Sequence, residues 1–211
     1  LCVGNTTEEE ALQLVETTTK ALGAQALSRS QVPTPRLLQL PPNVEVHLRL
    51  HPSLYSEGEA SQLNLEETQA AVELTLQAGI DELPRTALVE LVAQILEGPA
   101  YEQLRTVEQL GYAVQLSRRE DLGVVGLRIL VLSAMKPHEI DDRIEYFLHT
   151  VPQLLADLDA DSFENHRAAL VEKKLEAPKT LGEEADLQWA EISCGSLDFR
   201  RGAKAADALL A

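Results

Sequence analysis

Cysteine is nearly absent from this 211-residue chain. Cys2 and Cys194 are the only two, far apart and outside any paired spacing. Disulfide frameworks and thiolate zinc sites need closely spaced pairs, so neither is encoded, and a reduced, cytoplasmic chain is the default expectation. Basic charge is also scarce: 18 Lys and Arg stand against 34 Asp and Glu, a formal net charge of −16. Phosphate neutralisation then has no basic surface to work with, which excludes nucleic acid as a partner. Docking on an anionic membrane is disfavoured for the same reason. No unbroken apolar run approaches the roughly 20 residues that span a bilayer. The opening "LCVGNTTEEE" lacks a basic region followed by an apolar one, so it does not read as a secretory signal. It also lacks an initiator methionine and reads as the end of a strand over residues 1–5. The chain is therefore expected to be a piece of something longer. No H-x-x-E-H, H-E-x-x-H, G-x-S-x-G, Walker loop or dinucleotide fingerprint occurs.

Hydrophobic content of 45% is enough for one sizeable core or two small ones. Thr7 with Glu10 forms a capping-box pattern, and Glu8 and Glu9 suit the helix dipole, so a helix should run from there to about residue 26. Its apolar stripe is Ala11, Leu12, Val15 and Leu22. "SRSQVPTPR" (28–36) reads as a linker. "VEVHLRLH" (44–51) alternates as a strand does, with Val44, Val46, Leu48 and Leu50 on one face. "TQAAVELTLQAG" (68–79) reads as a second strand, with Val72, Leu74 and Leu76 inward.

From about residue 81 the period becomes helical, through Leu88, Leu91, Val92, Ile95 and Leu96, and Gly98-Pro99 should kink or restart the helix before Tyr101. "YAVQLSRREDLGVVGLRILVLSA" reads as a hairpin turning at "REDLG". Helices follow: one from Pro137 with a kink at Pro152, one capped by Asp161 with Glu164, one carrying Trp189 and Ile192, and a final "AKAADALLA". The order implies an α+β class, an antiparallel-rich sheet with helices on one face.

His47 and His51 share a strand face, but strand rise separates them by about 13 Å, too far to hold one ion. His138, His149 and His166 stand alone, on or beside helices. Cys194 has no recognisable base partner. The stretch that asks for more is "YEQLRTVEQLGYAVQ" (101–115). There Arg105 closes a helix, Tyr112 opens a strand, and Gly111 permits the change of direction. A guanidinium and a phenol at such an edge are able to donate to a peptide carbonyl or a developing oxyanion. The alternative is packing: Arg105 pairs with a helix acid, and Tyr112 joins Val114 and Leu116 on a core face.

"LEGPAYEQLRTVEQLGYAV" resembles a motif of the insulysin, pitrilysin and nardilysin family of zinc metallopeptidases. "VGNTTEEEALQLV", "VVGLRILVLS", "IEYFL" and "FENHRAALVEKKLEAPKTLGEEADLQWAEI" resemble further stretches of its fourth, C-terminal domain. The resemblance implies a metallohydrolase domain of the LuxS/processing-peptidase type, with residues 1–211 forming a single domain that lacks its last helix. It implies that Arg105 and Tyr112 match family residues that hold substrate and stabilise the tetrahedral intermediate. Peptides are then the substrates, cut in a chamber enclosed with the parent's other domains. Zinc belongs to the parent enzyme and is bound by another domain, with no cofactor and no metal in this chain. By rough superposition, Glu90, Ala93 and Gln94 take the places of the zinc motif's His, Glu and His, and none suits its role. A degenerate homologue acting as a peptide- or subunit-binding scaffold is the competing expectation.

Overall fold

The computed structural model of the chain describes residues 1–23, 25, 27–32, 37–41, 44–48 and 69–211. The first helix, α1 (Glu8–Leu22), is made by local signals. Thr7 accepts from the backbone of Glu10, and the Glu10 side chain accepts from the Thr7 N–H in return. Such a box satisfies two of the helix's orphan donors. Gly23, in the left-handed conformation, stops the helix four residues earlier than the apolar pattern suggests. No residue of α1 is buried, so its stripe of Leu12, Val15 and Leu22 faces solvent. Residues 1–5 form no strand: Gly4 has φ +119°, and the N–H of Thr6 turns back to the carbonyl of Gly4.

The strand expected at 44–51 also needs correction. Residues 44–48 are irregular, with Val44, Val46 and Leu48 all exposed, while 49–51 lie outside the described residues. Alternation supplies a face to bury, but a strand forms only where a neighbouring edge takes up its backbone groups. Nearby, the Gln77 amide satisfies backbone instead, donating to the carbonyl of Leu38 and accepting from the N–H of Leu40.

Among the described residues the sheet has three antiparallel strands, β1 (Ala70–Ile80), β2 (Ala113–Asp121) and β3 (Val124–Ser133), in the order β1-β3-β2. Its register lines up Val72, Val131 and Val114 in one row and Leu74, Ile129 and Leu116 in the next. These rows make the apolar face; Leu76, expected inward, is exposed beside the irregularity at Gln77/Gly79. The β2–β3 hairpin closes through Leu122 (φ +50°) and Gly123 (φ +79°), two left-handed residues whose twist suits a tight hairpin.

Helix α2 (Leu83–Ala100) runs behind the sheet and is buried on two sides. Ala93, Leu96 and Ala100 join Val114, Leu116, Ile129 and Val131 in the main core. Ala87, Leu91 and Ile95 face a second cluster with Leu170 and Leu209. Leu88 falls between these two faces and is 60% exposed, against the expectation for it. The main core is completed by Ile140, Ile144 and Phe147 of α3 (Pro137–Ala156), which continues past Pro152.

Three further helices follow: α4 (Ala160–Leu175), α5 (Leu181–Cys194) and α6 (Arg201–Leu210). The N-cap of α4 is Asp159, which accepts from the Ser162 N–H, two residues ahead of the expected cap. The second cluster is tied by Asp81, whose carboxylate accepts from Arg201 of α6 and from the Thr86 hydroxyl. Burial pushes the Asp81 carboxyl up, but these two donors outweigh it and hold its pKa below the usual value.

Candidate functional site

The junction between α2 and β2 is where the sequence departs most from a plain turn. Pro99 lies inside the helix and has no N–H to give its ladder. The helix runs through Pro99 to Ala100 and passes directly into a further helical turn. At Tyr101 the N–H is shared between the carbonyls of Glu97 and Gly98, and beyond it the helix widens, Tyr101–Val107 being wound as a π-helix that ends with the Glu108 N–H on the carbonyl of Gln103. Single π turns of this kind are frequent at functional sites. Leu104 is its one buried residue and anchors the turn in the main core.

The chain then folds back on itself. The N–H of Glu108 donates to the carbonyl of Gln103 at 3.0 Å, and that of Leu110 to the carbonyl of Leu104 at 3.0 Å. Gln109 makes the reversal with φ +53°. Gly111 plays a different part from the one expected. Its φ is not positive; a Cβ there would fall on the carbonyl oxygen of Leu132, so the absent side chain is what the site needs. The N–H of Tyr112 donates to that same carbonyl at 3.1 Å. Ser133, buried in β3, donates its hydroxyl to the carbonyl of Leu110 and accepts from the Met135 N–H at 3.0 Å.

Arg105 lies in the π turn, half-buried, and makes no hydrogen bond or ion pair among the described residues. Tyr112 precedes β2 by one residue and is 62% exposed. Among the described residues Arg105 has no acid partner, and Tyr112 is exposed rather than joined to Val114 and Leu116 in the core. Only a short reversal separates the two, with their neighbours Leu104 and Leu110 hydrogen-bonded to each other.

The residue that sequence reasoning passed over is Glu108. Its side chain is 5% exposed, accepting from Arg143 Nε of α3 at 2.6 Å and from Gln103 Nε2 at 2.6 Å. The guanidinium of Arg143 in turn lies 6.0 Å from the centre of the Tyr146 ring. Nothing local in the sequence marks a partner for Glu108 that is 35 positions away; only its place inside "VEQLGY" could have drawn attention.

The three positions that superposition set against a zinc motif are engaged otherwise. Glu90 lies 2.7 Å from Lys174 Nζ and 3.3 Å from Arg118 Nε, with its second oxygen buried and unpartnered. Ala93 packs in the main core, and the Gln94 amide donates to the carbonyl of His166 at 2.8 Å. One carboxylate already held by an ammonium, beside a methyl and an amide, does not fit zinc. His47 is placed elsewhere, its Nε2 3.0 Å from Glu45 Oε1 and its Nδ1 4.0 Å from Asp141 Oδ2. Glu45, His47 and Asp141 each offer an atom within 4.8 Å of the others, on side chains that are exposed or half-exposed. His51 lies outside the described residues. His138 and His149 are exposed on α3, as is Cys194 at the end of α5. A groove of about 710 Å³ runs between the end of α2, β2 and the α3–α4 turn. His166, Leu154 and Leu158 line it, and neither Arg105 nor Tyr112 does.

These features define a helix-backed α+β domain in which polar groups without a partner among the described residues flank one π-helix-to-strand reversal. Residues 91–189 match the family model described as PQQ synthase PqqF-like, C-terminal lobe domain 4. The chain is 42% identical over 132 residues to the insulin-degrading enzyme of Drosophila melanogaster, covering 63% of this chain and 13% of that protein. It is 28% identical over 205 residues to the putative zinc protease mug138 of Schizosaccharomyces pombe, covering 97% of this chain and 20% of that protein. The crystal structure of pitrilysin superposes with a TM-score of 0.72 at 26% identity, over 98% of this chain and 21% of that one. The chain belongs to the insulysin/pitrilysin family of metallopeptidases and corresponds to its C-terminal domain. It spans about a fifth or less of the length of these relatives. Among the described residues, no helix is long and apolar enough to cross a membrane.

Proposed function

We propose that this chain is the C-terminal, metal-free domain of a zinc metalloendopeptidase, and that Arg105 and Tyr112 present hydrogen-bond donors to a bound peptide. The observation that carries the reading is a half-buried guanidinium with no partner among the described residues, beside an exposed phenol on the same reversal. Burying part of a cation without an acid costs stability, and a site retains such a group where a ligand completes it. Both groups are donors at neutral pH, so they serve a peptide carbonyl and, more strongly, the oxyanion that forms as the carbonyl is attacked.

Zinc belongs in this reading to another domain of the parent protein, consistent with the misfit at Glu90, Ala93 and Gln94. The substrates are peptides held in a chamber closed by the parent's other domains, and residues 1–211 act as one domain of it. A cytoplasmic, reducing compartment accords with two exposed, unpaired cysteines.

The test is the full-length protein. Tyr112→Phe should lower kcat by up to about 100-fold with little change in KM, since it removes one transition-state donor. Arg105→Ala should act in the same direction, and a chelator should abolish cleavage. The isolated chain should hydrolyse nothing. Unchanged kcat and KM in both variants would reduce the pair to surface residues.

A further inference from the structure

A guanidinium and a phenol aid a reaction only if their backbone holds still, and the reversal between the π turn that carries Arg105 and Tyr112 has no regular secondary structure. Its left-handed residue is Gln109 rather than a glycine, a conformation that non-glycine residues adopt only when surroundings impose it. Glu108, the residue before it, is the one acid of the reversal whose side chain is buried, and both of its oxygens are used. One oxygen reaches back to Gln103 in the π turn that carries Arg105. The other reaches across to Arg143 on α3, a helix fixed by Ile140, Ile144 and Phe147 in the main core. The carboxylate thus links the π turn, the reversal and a rigid helix in one charge-assisted network.

We propose that Glu108, clamped by Arg143 and Gln103, is a positioning residue that holds Arg105 and Tyr112 in their working places. This rests on the function proposed above for that pair. Glu108 itself touches no substrate: its side chain is 5% exposed and fully engaged. Arg143, half-exposed and braced by the Tyr146 ring, supplies the charge that keeps the carboxylate in place.

The chemistry of the clamp sets the pattern of variants. In Glu108→Ala both links vanish. In Glu108→Gln the amide oxygen still accepts from Arg143, and the amide N–H meets the Gln103 oxygen once that side chain turns over, so the geometry survives without the charge. In Arg143→Met the cation is lost while the contact with Gln103 remains.

The experiment uses the full-length peptidase and measures kcat and KM on a fluorogenic peptide, per mole of folded, zinc-loaded enzyme. Glu108→Ala should lower kcat about tenfold with KM held within about twofold, and Glu108→Gln should recover it to within about threefold of the parent. Arg143→Met should lower kcat about threefold, which keeps the test open if Glu108→Ala fails to fold. In the Tyr112→Phe background, Glu108→Ala should cost much less than it does alone, because residues that act as one unit are not additive. Lys179→Ala, which breaks an exposed ion pair with Glu176, is the control and should change nothing. Full kcat in Glu108→Ala or Arg143→Met, alongside a damaged Tyr112→Phe, overturns the positioning role alone. Fully additive losses overturn it too, since they make Glu108 merely structural. A silent Tyr112→Phe removes the function reading and this inference with it.

Discussion

Helix α1 and the reversal at 101–112 are both short, polar-rich pieces of chain, yet they are held by opposite means. Around α1 the side-chain bonds are local: Thr7 with Glu10, Thr17 to the carbonyl of Gln13, Thr18 to that of Leu14, Lys20 with Glu16. None of its residues is buried. Around the reversal and the helices behind it the ties cross the molecule. Glu108 meets Arg143 across 35 positions, Glu90 meets Lys174 across 84, and Asp81 meets Arg201 across 120. Local bonds shape an element without placing it; distant ones place it, and a site needs to be placed.

The contrast breaks first in the core. Phe147→Ala removes a fully buried ring beneath the reversal and should cost about 3–5 kcal/mol, read as a lowered urea midpoint with the slope unchanged. A loss below about 1 kcal/mol would mean the reversal does not depend on α3 for its support.

A smaller effect is expected from the long-range ion pair under acid. The folded-state pKa of Asp81 is depressed, so its contribution is present above the unfolded carboxylate value of about 3.9 and is lost as pH falls through the folded value. Thermal melts of the parent should therefore fall toward acid more steeply than those of Asp81→Asn in that window. Parallel curves would show that the Asp81–Arg201 pair is decorative.

The smallest effect belongs to the local cap. Thr7→Ala should shorten or fray α1 and remove about 1 kcal/mol or less of helix stability, seen as faster amide exchange confined to residues near its start. Exchange that quickened in the sheet as well would contradict the picture of α1 as a locally held element.

Much of the chain was legible. The capping box at Thr7, the hairpin at 113–133, the long α2 and the core spacing of Ile140, Ile144 and Phe147 all follow from periodicity and turn chemistry. Two of the failures share one cause. "VEVHLRLH" alternates as cleanly as β1, but over 44–48 no edge among the described residues takes up its backbone, and Leu88 sat at a good helical position between two buried faces. Periodicity describes what a segment is able to bury and is silent on whether anything arrives to bury it against.

For the candidate site, the chain by itself determined that an arginine, a glycine and a tyrosine meet where a helical period gives way to an alternating one. It also determined, through the absent N–H of Pro99, that the ladder there would be disturbed. Tertiary structure decided the rest. It left Arg105 without an acid among the described residues and Tyr112 in the open, and it used Gly111 for the room its missing Cβ gives the Leu132 carbonyl. It also buried Glu108 between two donors that no local pattern connects to it. Local sequence sets torsions and periods through nearest neighbours, whereas burial and pairing depend on segments that meet only after the chain has folded.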